Sequence, residues 1–205
     1  MSTWAIVVAG GSGARFGDRK QYFALGDLRV LDWALRAAAE GADGVVLVVP
    51  ADRAADAEPL ATTVVAGGAT RSASVRAGLA AVPEDADVIY VHDAARPVPV
   101  PGVWQRVHAA VDAGADAAVP AVPVADTLRE VGGTTVDRSR LVAVQTPQAF
   151  RAAALRAAHA GEPEGTDDAS LVEAAGGRVV VVDGDPANIK ITTPVDLSLA
   201  ELLCR

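Results

Sequence analysis

The strongest constraint on the fold of this chain is a regular alternation of short, β-branched apolar runs with longer helical stretches. Several runs, such as "GVVLVVP" at 44–50, are apolar at consecutive positions, which is typical of strands covered on both faces. This alternation favours an α/β fold with a mainly parallel, doubly wound sheet and right-handed crossovers. The predicted strands are Ala5–Val8, Val45–Val49, Thr63–Val65, Val88–His92 and Ala117–Val122, and the predicted helices are Leu31–Ala39, Ala51–Ala57, Ser72–Ala80 and Val103–Ala113.

The regular pattern changes between Val124 and Val144. Two short extended pieces flank the pair Gly132-Gly133, which is typical of a β-hairpin. Their few large apolar residues predict an arm at about 124–144 that projects from the body. Further helices are predicted at Arg151–Ala160, at Asp168–Ala175 and after Pro194, with strands at 178–183 and 188–192. We expect one domain over residues 1–205 that includes the arm, since roughly 100–200 residues usually form one domain.

The composition and the charge restrict the partners of the chain. Hydrophobic residues make up 51% of it, enough for a substantial core, and the formal net charge is −8. Such a charge disfavours binding to nucleic acid and to anionic membranes. The single cysteine, Cys204, allows no disulfide within the chain. No apolar run approaches the ~18 residues of a membrane helix, and the first strand leaves no room for a signal peptide, so we expect a cytoplasmic protein.

A glycine-rich loop with clustered cations follows the first strand. The stretch "VVAGGSGARFGDRKQY", residues 7–22, contains four glycines and three cationic side chains. Glycine lets main-chain N–H groups approach an anion, and Arg and Lys neutralise its charge. We therefore expect Gly10, Gly11 and Gly13 to lie against a phosphate compound. Arg15 and Lys20 would then bracket its phosphates, although an ordinary solvated loop is the alternative.

The spacing of this loop separates three kinds of phosphate site. A Walker A loop needs Gly-Lys-Ser/Thr at its end, but Gly17 is followed by Asp18 and Arg19. The dinucleotide fingerprint needs a third glycine, and Phe16 stands at that position. The spacing therefore favours a nucleotidyltransferase loop that wraps a triphosphate, over a nicotinamide-dependent oxidoreductase.

An acidic residue is predicted at the carboxyl end of a buried strand. The stretch "VHDAARP" places Asp93 and Arg96 directly after the predicted strand Val88–His92, where ligands of doubly wound sheets bind. A carboxylate there can ligate Mg²⁺, which prefers oxygen ligands together with phosphate, or it can hold a substrate hydroxyl. We expect His92 to be structural, because nothing in this stretch calls for proton transfer.

Two further segments carry candidate ligand contacts. In "GGATRSASV" the amides of Gly67-Gly68 and the Ser74 hydroxyl can contact the edge of a nucleobase, whereas Ser72 suits a helix N-cap. In "NIKIT" the side chain of Lys190 is a further candidate for a phosphate contact.

Seven stretches between Ala9 and Leu197 carry a family resemblance. They are "AGGSGARF…KQY", "GGATRSASV", "VHDAARP", "TVDR", "QTPQAF", "TDDASLVE" and "NIKITTPVDL", in that order. Together they closely resemble the 2-C-methyl-D-erythritol 4-phosphate cytidylyltransferases of the non-mevalonate isoprenoid pathway, over nearly the whole chain.

The resemblance implies a Rossmann-like α/β nucleotidyltransferase with an arm that clasps a second subunit in a homodimer. The implied reaction joins CTP to 2-C-methyl-D-erythritol 4-phosphate, with Mg²⁺, and gives 4-diphosphocytidyl-2-C-methyl-D-erythritol and pyrophosphate. The transition-state cations would be Arg15 and Lys20. The implied partners of the acceptor phosphate are Arg151 and Lys190, those of the cytosine are Gly68, Arg71 and Ser74, and those of the rest of the acceptor are Asp93, Arg96, Thr135 and Thr166.

Two alternatives share part of this pattern. Ribitol 5-phosphate cytidylyltransferases have the same fold and nucleotide half, and differ only in the acceptor pocket. A nucleotide-binding regulator without turnover is suggested by departures from the family around Lys20, because Arg19 precedes it where proline is usual and the loop that reaches it is shorter.

Overall fold

An eight-stranded mixed sheet forms the centre of the structure, a computed structural model that describes residues 1–11 and 19–204. Its path runs β10-β7-β11-β6-β1-β4-β5, and β12 pairs with β7. These strands are β1 (Thr3–Val8), β4 (Gly44–Val49), β5 (Thr63–Ala66), β6 (Val88–Asp93), β7 (Ala117–Pro123), β10 (Val142–Val144), β11 (Gln148–Arg151) and β12 (Val179–Asp183). The remaining four strands form two small antiparallel hairpins. Strand β2 (Ala24–Leu25) pairs with β3 (Leu28–Arg29), and β8 (Leu128–Arg129) pairs with β9 (Thr135–Val136).

The pairing confirms the predicted α/β fold with a mostly parallel sheet. Strand β1 pairs in parallel with β4 and β6, β4 with β5, and β7 with β12. Antiparallel pairs involve β11, which lies between β6 and β7, and β10, which pairs with β7. Because β1, β5 and β6 run in the same direction, their carboxyl ends meet at one edge of the sheet.

Six helices are described, and five of them pack on the two faces of the sheet. They are α1 (Val30–Gly41), α2 (Arg71–Ala81), α3 (Pro101–Asp112), α4 (Ala152–His159), α5 (Asp168–Ala174) and α6 (Pro194–Leu203). Within residues 1–11 and 19–204, no helix has both the length and the continuous apolar surface of a membrane span. Residues of α1 and α3 pack on one face of the sheet, and residues of α2, α4 and α5 on the other.

The consecutive apolar residues of β4 are explained by this arrangement. Val45, Leu47 and Val49 lie in the cluster with α1 and α3, whereas Val46 and Val48 lie in the cluster with α2. All six residues of the strand are buried. Side chains of a strand alternate between its two faces, so a strand covered on both sides needs an apolar residue at every position.

The predicted hairpin arm is present but shorter than expected. Strands β8 and β9 pair antiparallel as a separate two-stranded sheet, and Val131 at its tip is fully exposed. The segment Val142–Val144, predicted as part of the arm, instead pairs with β7 in the main sheet.

Two predicted elements are wrong. Residues 51–57 form only a 3-10 turn at Ala51–Arg53, because "ADRAADA" offers no large apolar side chain to hold a short helix on the sheet. Residues 188–192 form no strand. Their backbone binds loops instead, for example through the Ile191 N–H, which donates to the Ala95 carbonyl at 2.8 Å.

Candidate active site

The glycine-rich loop leaves β1 at the edge where the parallel strands end. Val8, the last residue of β1, lies opposite Val48 of β4 and Asp93 of β6. The next residue stays on the sheet, since the Ala9 N–H donates to the Val48 carbonyl at 2.7 Å. Gly10 and Gly11 follow at this edge, and the predicted contacts Gly13 and Arg15 lie outside the described residues.

Lys20 is held close to this loop by its neighbour in sequence. It begins a 3-10 turn at Lys20–Tyr22, in which Gln21 is buried. The Gln21 Nε2 donates to the carbonyls of Ala9 at 2.7 Å and Gly11 at 3.3 Å. The turn is thereby fixed to the carboxyl end of β1, so the half-buried Lys20 lies beside the strand end where the nucleotide phosphates were predicted.

The second glycine pair forms a tight corner before α2. A Cβ added at Gly68 would lie 2.5 Å from the Cβ of Ala73, and one at Gly67 would lie 2.9 Å from Ser74 Oγ. A Cβ at Gly10 would be 3.5 Å from the same Ser74 Oγ. Ser74 therefore packs between the corner after β5 and the start of the loop after β1, which brings together Gly10, Gly68 and Ser74, three of the residues predicted to contact the nucleotide. The Thr70 side chain caps α2 by accepting from the Ala73 N–H, a place predicted for Ser72.

A largely buried carboxylate, that of Asp93, lies among cations at the end of β6. Asp93 Oδ2 is 2.7 Å from Lys190 Nζ and 3.9 Å from Arg96 Nε. Burial alone would raise the pKa of this carboxyl group, but the charges of Lys190, Arg71 and Arg96 together hold it below its usual range. Three cations from separate segments thus surround this one carboxylate.

Arg71 is itself oriented by a second buried carboxylate. Its Nη2 is 2.8 Å from Oδ2 of Asp168, which is fully buried, and His159 Nε2 is 3.1 Å from the other oxygen of Asp168. Burial lowers the pKa of the guanidinium, and the charges of Asp168 and Asp93 outweigh that and raise it. Arg71 Nη1 is buried without a hydrogen-bond partner among the described residues. It is therefore a charged donor that the described protein groups leave unused.

The structure confirms a structural position for His92 and defines its tautomer. It is buried, its Nε2 lies 3.2 Å from the Arg96 carbonyl and its Nδ1 lies 3.1 Å from Thr146 Oγ1. Burial lowers the pKa of His92 from 6.5 to about 4. The neutral ring donates from Nε2 to the carbonyl, since a carbonyl only accepts, and Nδ1 accepts from the Thr146 hydroxyl.

The lowered pKa of His92 predicts a loss of stability in mild acid. The unfolded chain binds a proton at this ring below about pH 6.5, whereas the folded chain binds it only near pH 4. The contribution of the neutral ring to the free energy of unfolding is therefore fully present above about pH 6.5 and is lost as the pH falls toward 4. We expect up to about 3 kcal/mol of the free energy of unfolding to be lost in this way. Urea denaturation at pH 7 and pH 4.5 measures the change. His92→Asn should lose less stability than the wild type between the two pH values, and an equal loss would contradict the assignment.

Thr146, Gln145 and Asn188 are site residues that the sequence analysis missed. Thr146 Oγ1 also accepts from the Asp93 N–H at 3.0 Å. Asn188 Nδ2 donates to the Thr146 carbonyl at 2.9 Å and lies 3.2 Å from Gln145 Oε1. All three are buried. The quoted stretches "QTPQAF" and "NIKIT" contain all three, but no local pattern indicates that they meet.

Arg151 does not lie near Asp93, as its predicted contact with the acceptor phosphate requires. It ends β11 opposite Val88, the first residue of β6, and its Nε donates to the Ala115 carbonyl at 3.2 Å. Asp93 lies five residues further along β6, about 16 Å away at the usual rise of a strand. The expectation for Arg151 is therefore corrected, because the antiparallel course of β11 carries this residue to the amino edge of the sheet.

The two predicted threonines have different surroundings. Thr166 lies in the loop before α5, next to Gly165, whose N–H donates to Ser72 Oγ at 3.1 Å. This contact brings Thr166 to the first turn of α2, near Arg71. Thr135 lies on the exposed arm in β9, where its hydroxyl is 3.5 Å from Arg129 Nη1.

The described residues do not form a metal site by themselves. They contain no group of three or more His, Cys, Asp and Glu side chains that could hold a metal ion. Asp93, the predicted metal ligand, is engaged by Lys190 at 2.7 Å and surrounded by two arginines. Three neighbouring positive charges oppose direct coordination of a divalent cation, so this carboxylate fits a contact with a hydroxyl or with cationic side chains better than metal ligation.

The sequence is similar to one family along almost its whole length. Residues 3–205 match the family model described as IspD: 2-C-methyl-D-erythritol 4-phosphate cytidylyltransferase. The enzyme of that name from Nocardia farcinica is 44% identical over 216 residues, which cover 98% of this chain and 94% of the relative. A bifunctional enzyme IspD/IspF from Solidesulfovibrio magneticus is also 44% identical, and this chain spans 57% of its length.

Solved structures give the same result. The crystal structure of 2-C-methyl-D-erythritol 4-phosphate cytidylyltransferase from Thermus thermophilus has a TM-score of 0.84 and 39% identity, with 100% of both chains covered. The bifunctional IspDF of Campylobacter jejuni has a TM-score of 0.86 at 25% identity, and the match covers 97% of this chain and 54% of that one.

Proposed function

Because the chain belongs to the 2-C-methyl-D-erythritol 4-phosphate cytidylyltransferase family, we propose that it transfers the cytidylyl group of CTP to 2-C-methyl-D-erythritol 4-phosphate. The products are 4-diphosphocytidyl-2-C-methyl-D-erythritol and pyrophosphate, as part of isoprenoid biosynthesis. The observation that carries the proposal is the cluster of Lys190, Arg71 and Arg96 around Asp93, beside the glycine-rich loop. The alternative acceptor, ribitol 5-phosphate, and a regulator without turnover are not favoured by these relatives.

The reaction brings two polyanions together. An oxygen of the acceptor phosphate attacks the α-phosphorus of CTP, the bond between that phosphorus and the bridging oxygen breaks, and pyrophosphate leaves with the bonding electrons. Positioning and charge stabilisation provide most of the catalysis in such transfers. The protein therefore needs cations on both sides of the α-phosphate and no strong general base.

The geometry supports a division of labour along the sheet edge. Lys20 and the glycines after β1 and β5 would hold the nucleotide, with Ser74 between them. Lys190 and Arg96 lie beside Asp93 at the end of β6, the strand next to β1. Adjacent strands are about 4.8 Å apart. An acceptor phosphate bound by Lys190 and Arg96 would therefore lie next to a triphosphate bound at the end of β1. Arg15, outside the described residues, is proposed to act with Lys20 on the triphosphate.

Mg²⁺ is proposed to enter with the nucleotide. This ion keeps several waters and commonly binds through substrate phosphates with one or two carboxylates, which suits a site whose described part lacks a carboxylate cluster. When bound, it would neutralise charge on the phosphates. The steps above use only the cations of the chain.

A homodimer is proposed from the arm. Thr135 lies on the exposed hairpin of its own chain, so its predicted contact with the acceptor would be made in a second subunit. Exposed Leu128, Val131, Leu141 and Val142 give the arm and its base an apolar surface that suits such an interface.

A cytoplasmic location stays a prediction.

The test is the product formed from purified protein, CTP and Mg²⁺ with each acceptor in turn. We expect pyrophosphate release and 4-diphosphocytidyl-2-C-methyl-D-erythritol with methylerythritol phosphate, and at least about tenfold lower kcat/KM with ribitol 5-phosphate, because a site built to bind one set of hydroxyls rejects a mismatched one. A preference for ribitol 5-phosphate would replace the acceptor assignment. CTP binding without pyrophosphate release in either mixture would instead favour the regulator.

A further inference from the structure

The Asp93–Lys190 ion pair joins segments that are far apart in sequence. The two residues are 97 positions apart and their charged atoms are 2.7 Å apart. Lys190 lies in an irregular segment and is 41% exposed, so its own packing cannot hold it in place. A pair of this kind needs a fixed backbone on both sides if it is to meet a phosphate in one geometry.

The Asp93 side of the pair is fixed by Thr146. Strand β11 starts at Gln148, which pairs with Val91, so the ladder ends two residues before Asp93. Thr146 occupies the position where the next partner would be, and its hydroxyl accepts from the Asp93 N–H at 3.0 Å. The same hydroxyl lies 3.1 Å from Nδ1 of the buried His92. One side chain therefore satisfies two buried groups at the end of β6.

The Lys190 side is fixed to the same junction by Asn188. Its Nδ2 donates to the Thr146 carbonyl at 2.9 Å, its carbonyl accepts from Arg96 Nη1 at 2.7 Å, and it is fully buried. The junction at Thr146 is thus the common anchor for both halves of the ion pair.

We propose that Thr146 and Asn188 are positioning residues that set the Asp93–Lys190 pair for the acceptor substrate. This rests on the proposed function. Because the nucleotide contacts lie on the loops after β1 and β5, the anchor affects the acceptor and leaves CTP binding unchanged.

Thr146→Val tests the proposal, with Thr146→Ser as its matched control. Valine keeps the shape but leaves the Asp93 N–H and His92 Nδ1 unsatisfied, whereas serine keeps the hydroxyl. We expect Thr146→Val to lower kcat/KM for methylerythritol phosphate about 10- to 100-fold while the KM for CTP stays within about twofold. Thr146→Ser should stay within about threefold of the wild type in both.

A double-mutant cycle separates positioning from general destabilisation. In a Lys190→Met background, Thr146→Val should cost no more than about threefold further, because residues that act through one another are not additive. Val111→Ala, a buried change in α3, gives a loss of stability remote from the site and should leave the KM for the acceptor unchanged. Asn188→Ala tests the other half of the anchor and should show the same loss of kcat/KM for the acceptor. This variant also tests the proposal if Thr146→Val does not fold.

A failure of the positioning proposal can be told apart from a failure of the proposed function. If the wild type makes no cytidylylated product, both proposals fall. If the wild type is active and the valine variant keeps its acceptor kcat/KM, raises the KM for CTP equally, or loses as much again without Lys190, only the positioning proposal is overturned.

Discussion

Replacing Lys190 with methionine is expected to lower kcat/KM for the acceptor about 100- to 1,000-fold. Methionine has a similar length but no charge, so the acceptor phosphate loses a cation that is 2.7 Å from Asp93. Loss of one preorganised charge donor typically costs a factor of this size. In addition, the pKa of Asp93 should rise, because Lys190 makes the largest charge contribution to lowering it. Steady-state kinetics with varied acceptor and saturating CTP measure the loss.

Arg36→Met is the matched control for that experiment. Arg36 is an exposed cation on α1, so its loss changes the net charge equally and should alter kcat/KM by less than about twofold. The thermal unfolding midpoint of Lys190→Met should fall by no more than a few degrees, because Arg71 and Arg96 still face Asp93 when the lysine charge is lost. A folded Lys190→Met variant within about tenfold of wild-type activity would remove Lys190 from the acceptor site.

Replacing Lys20 with alanine is expected to reduce kcat by about 100-fold or more while the protein stays folded. The turn at Lys20–Tyr22 is held to the loop after β1 by Gln21, so removal of the lysine side chain leaves this anchor intact. Negative charge develops on the triphosphate as pyrophosphate leaves, and a fixed cation at this place stabilises it. Single-turnover pyrophosphate release, with circular dichroism of the variant, measures both parts of the prediction.

Arg19→Gln shows whether the position of the cation matters or only its charge. Arg19 pairs with Asp52 on the surface, with two contacts of 2.7 and 3.0 Å. Exposed ion pairs of this kind contribute about 0–1 kcal/mol. We expect less than about fivefold change for Arg19→Gln. Similar small effects of both substitutions would support the solvated-loop alternative and refute a catalytic Lys20.

The "QTPQAFR" segment shows most clearly where sequence and structure differ. The periodicity of the sequence predicted a helix from Arg151, which the structure confirms as α4 at Ala152–His159, whereas the family resemblance predicted a phosphate contact for Arg151 itself. The structure instead runs this segment antiparallel to β6, which places Thr146 beside Asp93 and Arg151 at the opposite edge of the sheet. No local pattern gives the direction of a strand relative to a partner more than 50 residues away.

The sequence alone determined the α/β class and the family, and it predicted a binding site at the carboxyl edge of β1 and β6. These properties follow from periodicity and from short motifs, in which neighbouring residues carry the information. Only the tertiary structure decided which side chains meet: Lys190 with Asp93, Arg71 with Asp168, and Thr146 with the end of β6. Those contacts depend on strand register and on how distant loops close over the sheet, because a shift of one residue in register turns every side chain of a strand to its other face.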